Sequence, residues 1–296
     1  MQMILLNNAI PFCELPLSDD FMFGEVMRRP EICRLFLEVL LGKPIAKIEY
    51  ISKQQDISDS YSSHGIRLDV YLRDEANTVY SVEMQNGGGS MLFKRIRYYQ
   101  GMIDRHNLRK SEHYSKLPES FIIMICTSDL IGRGMAVYRR RDTIAGCEDY
   151  EYNDGTNVYL LNSACTTENA DDAILEFLRC IRTNDTNPED YASRLMKEVC
   201  PAMAEVRSDP GKEAEYMTWQ TKMMDIEYKA KEEGREEGRK EGREEGRVEE
   251  REIGLRTLIE TLHALSQSRE AIEQIVVDKF HLSPSVAKEK VAQYWS

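Results

Sequence analysis

The chain has 296 residues, 42% hydrophobic and 30% charged, with 39 Lys and Arg against 51 Asp and Glu and a formal charge of -12. That length supplies one large core or two small ones, and no apolar run approaches the roughly 20 residues of a membrane helix. The acidic balance excludes a protein that simply coats nucleic acid, while leaving room for a local basic groove. The opening Met1-Gln2-Met3-Ile4-Leu5-Leu6 has neither the basic segment nor the apolar stretch of an export signal. Seven cysteines (13, 33, 126, 147, 165, 180 and 200) are odd in number and contain no Cys-x-x-Cys pair. They read as thiols in a reducing cytoplasm rather than a disulfide or zinc framework.

In chain order, Asp19–Leu41 carries apolar residues at helical intervals, with Pro30 separating two helices or starting the second. Two alternating runs, Ile66–Arg73 and Thr78–Gln85, predict strands. Asn86-Gly87-Gly88-Gly89 breaks the pattern, and Ser90 is placed to cap a helix running to about Lys110. Phe121–Thr127 is a continuous apolar run, as in a strand covered on both faces. From about Asn162 onward only helices are predicted, including Asp171–Arg182 and Asn187–Val206. In Lys229–Arg251, Glu-Gly-Arg units place glycines at 234, 238, 242 and 246, among 8 basic and 9 acidic residues. Each interior glycine costs a helix about 1 kcal/mol relative to alanine, and i,i+3 Glu/Arg pairs return only about 0.2–0.5 kcal/mol each. A solvated linker and a self-associating helix therefore both stand. Four segments are expected: an α/β domain over 1–165, a helical extension over 166–228, the repeat over 229–251, and a small helical module over 252–296.

The hairpin register is the most informative feature. Ile66, Leu68, Val70 and Leu72 form one apolar face, and Tyr80, Val82 and Met84 form the other. A one-residue slip would reverse every side chain, so both sets must share a face. A three-residue loop, Glu75-Ala76-Asn77, achieves this with Asn77 in the left-handed conformation. Leu68 then faces Met84, Asp69 lies opposite Glu83, and Arg67 lies opposite Gln85. Opposed carboxylates repel. A divalent cation such as Mg²⁺ or Mn²⁺, a shared proton or basic neighbours would each relieve them.

The next helix has a buried stripe of Leu92, Ile96, Tyr99 and Ile103, while Lys94, Tyr98, Arg105 and Arg109 share another narrow sector. From Lys94 to Lys110 there are six Lys/Arg and one Asp, a local charge of +5. Such a stripe beside paired carboxylates suits a phosphodiester; a solvated helix face is the plainer alternative. The five histidines show no metal-ligand spacing.

The segments Ile66-Arg67-Leu68-Asp69-Val70, Val82-Glu83-Met84-Gln85 and Lys94-Arg95-Ile96-Arg97-Tyr98-Tyr99 resemble the PD-(D/E)XK nuclease family transposases, as does the opening Ser18-Asp19-Asp20-Phe21-Met22-Phe23. The resemblance covers about residues 15–165 and extends more loosely to the repeats and tail. It implies an α/β restriction-endonuclease-like core with a mixed sheet, followed by an α-helical C-terminal region, and Mg²⁺-dependent cutting of DNA. By position it makes Asp69 and Glu83 metal ligands and puts Gln85 where the wider superfamily has lysine. Gln85 would orient a water but bring no charge, a gap that Lys94 would fill. A first-helix glutamate, Glu25 in preference to Glu38, would complete the metal site. Arg67, Arg95, Arg97, Tyr98 and Arg105 would hold the DNA backbone, and the repeat and C-terminal helices would join copies of the chain. The alternative function is a nucleic-acid-binding or oligomeric scaffold that has lost turnover.

Overall fold

The computed structural model describes residues 10–51, 55–57, 66–147, 149–150 and 152–295. Met1–Leu6 and one of the five histidines, His64, lie outside the described residues. The chain forms two compact units, Met1–Trp219 and Gln220–Ser296.

The first unit begins with α1 (Asp20–Met27), α2 (Pro30–Leu41), β1 (Ile48–Tyr50), β2 (Gln55–Ile57), β3 (Ile66–Leu68), β4 (Val70–Asp74) and β5 (Val79–Gln85). It continues through α3 (Leu92–Asn107), β6 (Ser120–Cys126), β7 (Val137–Arg139), β8 (Thr156–Asn162), α4 (Asp172–Thr183) and α5 (Arg194–Ser208). Six strands make one mixed sheet in the order β1-β4-β5-β6-β8-β7, and β2 and β3 pair separately. The β4–β5 hairpin is antiparallel, and β5, β6 and β8 run parallel. The connection from β5 to β6 passes through α3, since a parallel pair requires a crossover rather than a tight turn.

Local chemistry sets the helix ends. Asp19 caps α1 by accepting from the Phe21 and Met22 N–H groups at 3.0 and 3.2 Å. Pro30 opens α2, and Gly42 closes it at φ +63°. Ser90 does not cap α3. The helix starts one residue later, behind Met91, which supplies no side-chain cap, after a turn in which Leu92 N–H bonds Gly89 O at 2.9 Å. Asn187 likewise starts only a single 3-10 turn, and α5 begins at Arg194 under a Ser193 cap.

Both faces of the sheet are covered, unequally. Val70, Leu72, Tyr80, Val82, Phe121, Ile123 and Ile125 share a core with α1, α2, α4 and α5. Phe177, Met196, Val199 and Met203 belong to that core, so packing runs on without a break past the boundary expected at residue 165. An amphipathic helix must bury its apolar face, and this sheet face offers the place. The opposite face carries Tyr71, Val79, Ile122, Met124 and Cys126 against Leu92, Ile96, Met102 and Ile103 of α3. All seven residues of β6 are buried, in line with its unbroken apolar sequence.

The last helices are α6 (Pro210–Ala264), α7 (Arg269–Phe280) and α8 (Pro284–Tyr294). Lys229–Arg251 is helical throughout and almost wholly exposed. Of the predicted i,i+3 pairs, Glu244–Arg247 forms at 2.8 Å, while Glu236 pairs instead with Lys240 at 3.2 Å. The second unit has its own core of Leu255, Ile259, Ile272, Val276, Ala287 and Val291.

Candidate active site

The site grows out of the β4–β5 hairpin. Val70 pairs with Val82 and Leu72 with Tyr80, the register required by the apolar alternation. Asn77 closes the three-residue loop at φ +68°, and Asp74 Oδ1 accepts from the Ala76 and Thr78 N–H groups at 3.0 and 2.8 Å. The predicted strand Ile66–Arg73 is nonetheless interrupted. Asp69 is a bend residue, and Leu68 pairs with Gln55 instead of Met84. The pairing of Arg67 with Gln85 is lost with it, Arg67 pairing with Asp56; the Arg67 side chain lies outside what is described.

The side chain of Asp69 explains the interruption. By the alternation of an antiparallel ladder, Met84 N–H should bond the carbonyl of Leu68. It donates instead to Asp69 Oδ2 at 3.0 Å. Asp69 N–H in turn donates to Glu83 Oε1 at 3.2 Å, and the Ser81 hydroxyl donates to the same oxygen at 2.9 Å. Each carboxylate is therefore fixed partly by the other residue's strand. On the outer side of the bend, Arg28 Nη2 donates to Asp69 O at 3.1 Å. Gly24 permits this approach, because a Cβ there would stand 2.9 Å from Arg28 Nη1.

Glu83 is only 5% exposed. Burial, and then the charge of Asp69, hold its carboxyl well above the usual glutamate range, with the Arg95 guanidinium opposing. Tyr99 is pushed up to about 12, first by burial and then by the charge of Glu83, and Arg95 again opposes. Arg95 and Tyr99 lie one helical turn apart, with the guanidinium 5.8 Å from the ring centre. Arg95 also donates to Gln85 Oε1, while Gln85 Nε2 donates to Asn86 O at 3.0 Å. Both ends of the Gln85 amide are thus engaged within the protein.

The remaining candidates separate by position. Lys94 is exposed on α3, as are Arg97, Tyr98 and Arg105. Glu25 pairs with Lys212 at 3.0 Å. Glu38 pairs with Arg34 at 2.9 Å and accepts from Ile45 N–H at 2.8 Å. Among the described residues, no group of three or more His, Cys, Asp and Glu is placed to hold a metal ion. Ser81, Arg28 and Asn86 were not among the candidates. Ser81 had a signal, since it lies two residues from Glu83 on the same strand face. Asn86 joins the end of β5 to the start of α1 through Ser18 O at 2.8 Å and Asp20 Oδ1 at 3.3 Å.

The family model described as PD-(D/E)XK nuclease family transposase matches residues 20–233, from the first turn of α1 into the repeat. The chain belongs to that family. Its mixed sheet, flanking helices and long C-terminal helical region agree with a PD-(D/E)XK-like α/β fold. No curated protein and no solved structure matches the chain. Membership supports a nuclease- or transposase-like function, a chemistry for which divalent metals are the usual cofactor and DNA the usual substrate. No described helix is long and apolar enough to cross a membrane.

Proposed function

We propose that this PD-(D/E)XK family member is a divalent-cation-dependent DNA endonuclease acting in the cytoplasm, in DNA rearrangement or defence against mobile elements. The observation that carries the reading is the bonded carboxylate pair: Asp69 N–H to Glu83 Oε1, and Met84 N–H to Asp69 Oδ2. The donor set fits Mg²⁺ or Mn²⁺, both of which favour carboxylate oxygens. Asp69 and Glu83 would hold the ion, which when bound supplies Lewis acidity and a more acidic water. Burial makes the pair costly to ionise fully, a cost that a bound cation would offset.

The chain's own groups divide the remaining work. Arg95 takes the place of the missing superfamily lysine as the nearby positive charge, a role assigned to Lys94 on sequence grounds. Gln85 positions that guanidinium instead of a water, because its amide is bonded to Arg95 and Asn86. Lys94, Arg97, Tyr98 and Arg105 on α3 would contact the DNA backbone, and Arg67 is a further candidate for that role. Glu25 would join the ion only after giving up Lys212. Copies of the chain would associate through the repeat helix, where a Cβ at Gly234, Gly238, Gly242 or Gly246 would meet nothing within 4 Å. Deleting residues 229–296 should reduce the number of chains per particle measured by light scattering; an unchanged number of chains contradicts association through this region.

The deciding experiment is plasmid cutting in Mg²⁺, Mn²⁺ and EDTA, beside Asp69→Ala and Glu83→Ala. Metal-dependent cutting abolished by both changes supports the assignment. Cutting that survives both overturns it. DNA binding without cutting in any cation favours the scaffold.

A further inference from the structure

The sheet face covered by α3 has a second opening, on the flank of the helix away from Arg95 and Tyr99. There α3, β7, β8 and the segments around Ile144 and Tyr152 enclose an open cavity of about 890 Å³. The volume lies within the range of about 300–1,000 Å³ found for small-ligand sites.

Its walls combine three chemistries. Phe93 and Tyr152, 60% and 45% exposed, present aromatic rings that no ring partner in the protein covers among the described residues. Gln100 and Asp104 form a polar edge on α3: Gln100 Nε2 donates to Asp104 Oδ1 at 2.8 Å and is braced by Ser120 at 2.9 Å. Arg97 adds a guanidinium group to the lining, beside Arg140, whose Nε is paired with Asp142 at 2.9 Å. An aliphatic ligand would strip water from Asp104 and the arginines without replacing its hydrogen bonds. A simple anion would use the arginines and ignore the rings. A flat heteroaromatic base with a hydrogen-bonding edge and an attached phosphate uses all three.

Gly101 supplies an independent observation. It lies inside α3, where glycine costs about 0.5–1 kcal/mol relative to alanine. Neither a left-handed φ nor a close neighbour requires it: a Cβ would meet nothing within 4 Å. Gly101 lines the cavity, and a side chain at this position would project into open space beside it.

We infer that this cavity binds a single nucleotide displaced from the DNA duplex, so that the protein selects DNA containing an unpaired base. Resting on the nuclease reading, this adds which DNA is chosen. The exposed ridge of Lys94, Tyr98 and Arg105 separates the cavity from the carboxylates. A helix with its side chains is about 10–12 Å across, or about three nucleotides of a strand rising 3.4 Å each. One strand laid over α3 can therefore serve both flanks. Stacking on the aromatic wall and hydrogen bonding at the polar edge are the interactions that hold extruded bases elsewhere.

The test is equilibrium binding by fluorescence anisotropy in EDTA, which keeps recognition apart from cutting. A labelled duplex is compared with the same duplex carrying one unpaired nucleotide. The wild-type chain should prefer the second by about tenfold or more, equivalent to about 1.4 kcal/mol. Gly101→Trp, which fills the mouth, should abolish the preference, and Phe93→Ala, which removes one of the two stacking rings, should reduce it, while thermal unfolding shows both folded. Asp69→Asn should keep it. Equal binding of the two DNAs by the wild type, or a preference that survives Gly101→Trp, overturns the proposal. So does binding of a free deoxynucleoside monophosphate with no preference between the DNAs. Metal-dependent cutting without selectivity leaves the nuclease reading intact and removes the pocket; selectivity without cutting does the reverse.

Discussion

Glu83→Gln should stabilise the metal-free protein at neutral and alkaline pH, at the expense of activity. The amide keeps an Oε1 that accepts from Ser81 at 2.9 Å and from Asp69 N–H at 3.2 Å, so both structural bonds persist. It removes the ionised form that burial and Asp69 disfavour. Because the native carboxyl is raised above its ordinary value of 4.5, the folded state binds the proton more tightly than the unfolded state does. This contribution to stability is complete below the ordinary glutamate range and is lost as pH rises through the raised native value. One proton sets a limiting slope of about 1.4 kcal/mol per pH unit within that window. Urea denaturation in EDTA across a pH series should show the wild type losing stability along this slope relative to Glu83→Gln, with a constant gap above the window. Adding Mg²⁺ or Mn²⁺ should stabilise the wild type and have much less effect on the variant. Parallel pH profiles for the two proteins would refute the account of Glu83 as the buried acid.

Three further outcomes are expected. Asn77→Ala places a Cβ residue without Asn's local hydrogen-bonding capacity at φ +68°, and urea titration should show a loss of about 1–2 kcal/mol, with Asn77→Gly close to the wild type. Arg95→Ala should slow cutting about 10²–10³-fold, the scale for removing one preorganised charge-stabilising donor; single-turnover kinetics showing an equal or larger loss in Lys94→Ala would return the role to Lys94. Ile259→Ala opens a cavity in the fully buried core of the second unit at a cost of about 2–5 kcal/mol. Limited proteolysis should then release the C-terminal helices while the sheet-containing unit remains resistant.

Much of the hairpin was legible because its determinants are local. The alternation of Val70, Leu72, Tyr80 and Val82 fixes which side chains share a face, and Asn77 fixes the loop. What local pattern could not reveal is a side chain taking over a backbone role: Asp69 Oδ2 receives the Met84 N–H that an unbroken ladder would give to Leu68. Periodicity registers faces, not bends. The use of Gln85 was hidden for a related reason. Residues 94 and 95 are adjacent in sequence but about 100° apart on the helix, and the true start of α3 decides which of them looks toward β5. Glu25 was preferred to Glu38, yet both are already engaged: Glu38 by Arg34 one turn away on its own helix and by Ile45 N–H, and Glu25 by Lys212, a partner far along the chain that local pattern could not show.

The carboxylates, Gln85 and Arg95 all come from the continuous stretch 69–95, whereas β6 and the rest of α3 come from farther along the chain. Hairpins close in about 1–10 μs and helices relax in about 0.1–1 μs, so these groups can approach one another while still hydrated. Two unit charges 4 Å apart in bulk water interact by only about 1 kcal/mol. The larger electrostatic burden arises only once α3 and β6 seal the sheet face. An interaction absent from the transition state acts on escape from the native basin instead of entry into it. Alkaline pH should therefore shorten the lifetime of the metal-free native state while leaving its rate of formation nearly constant.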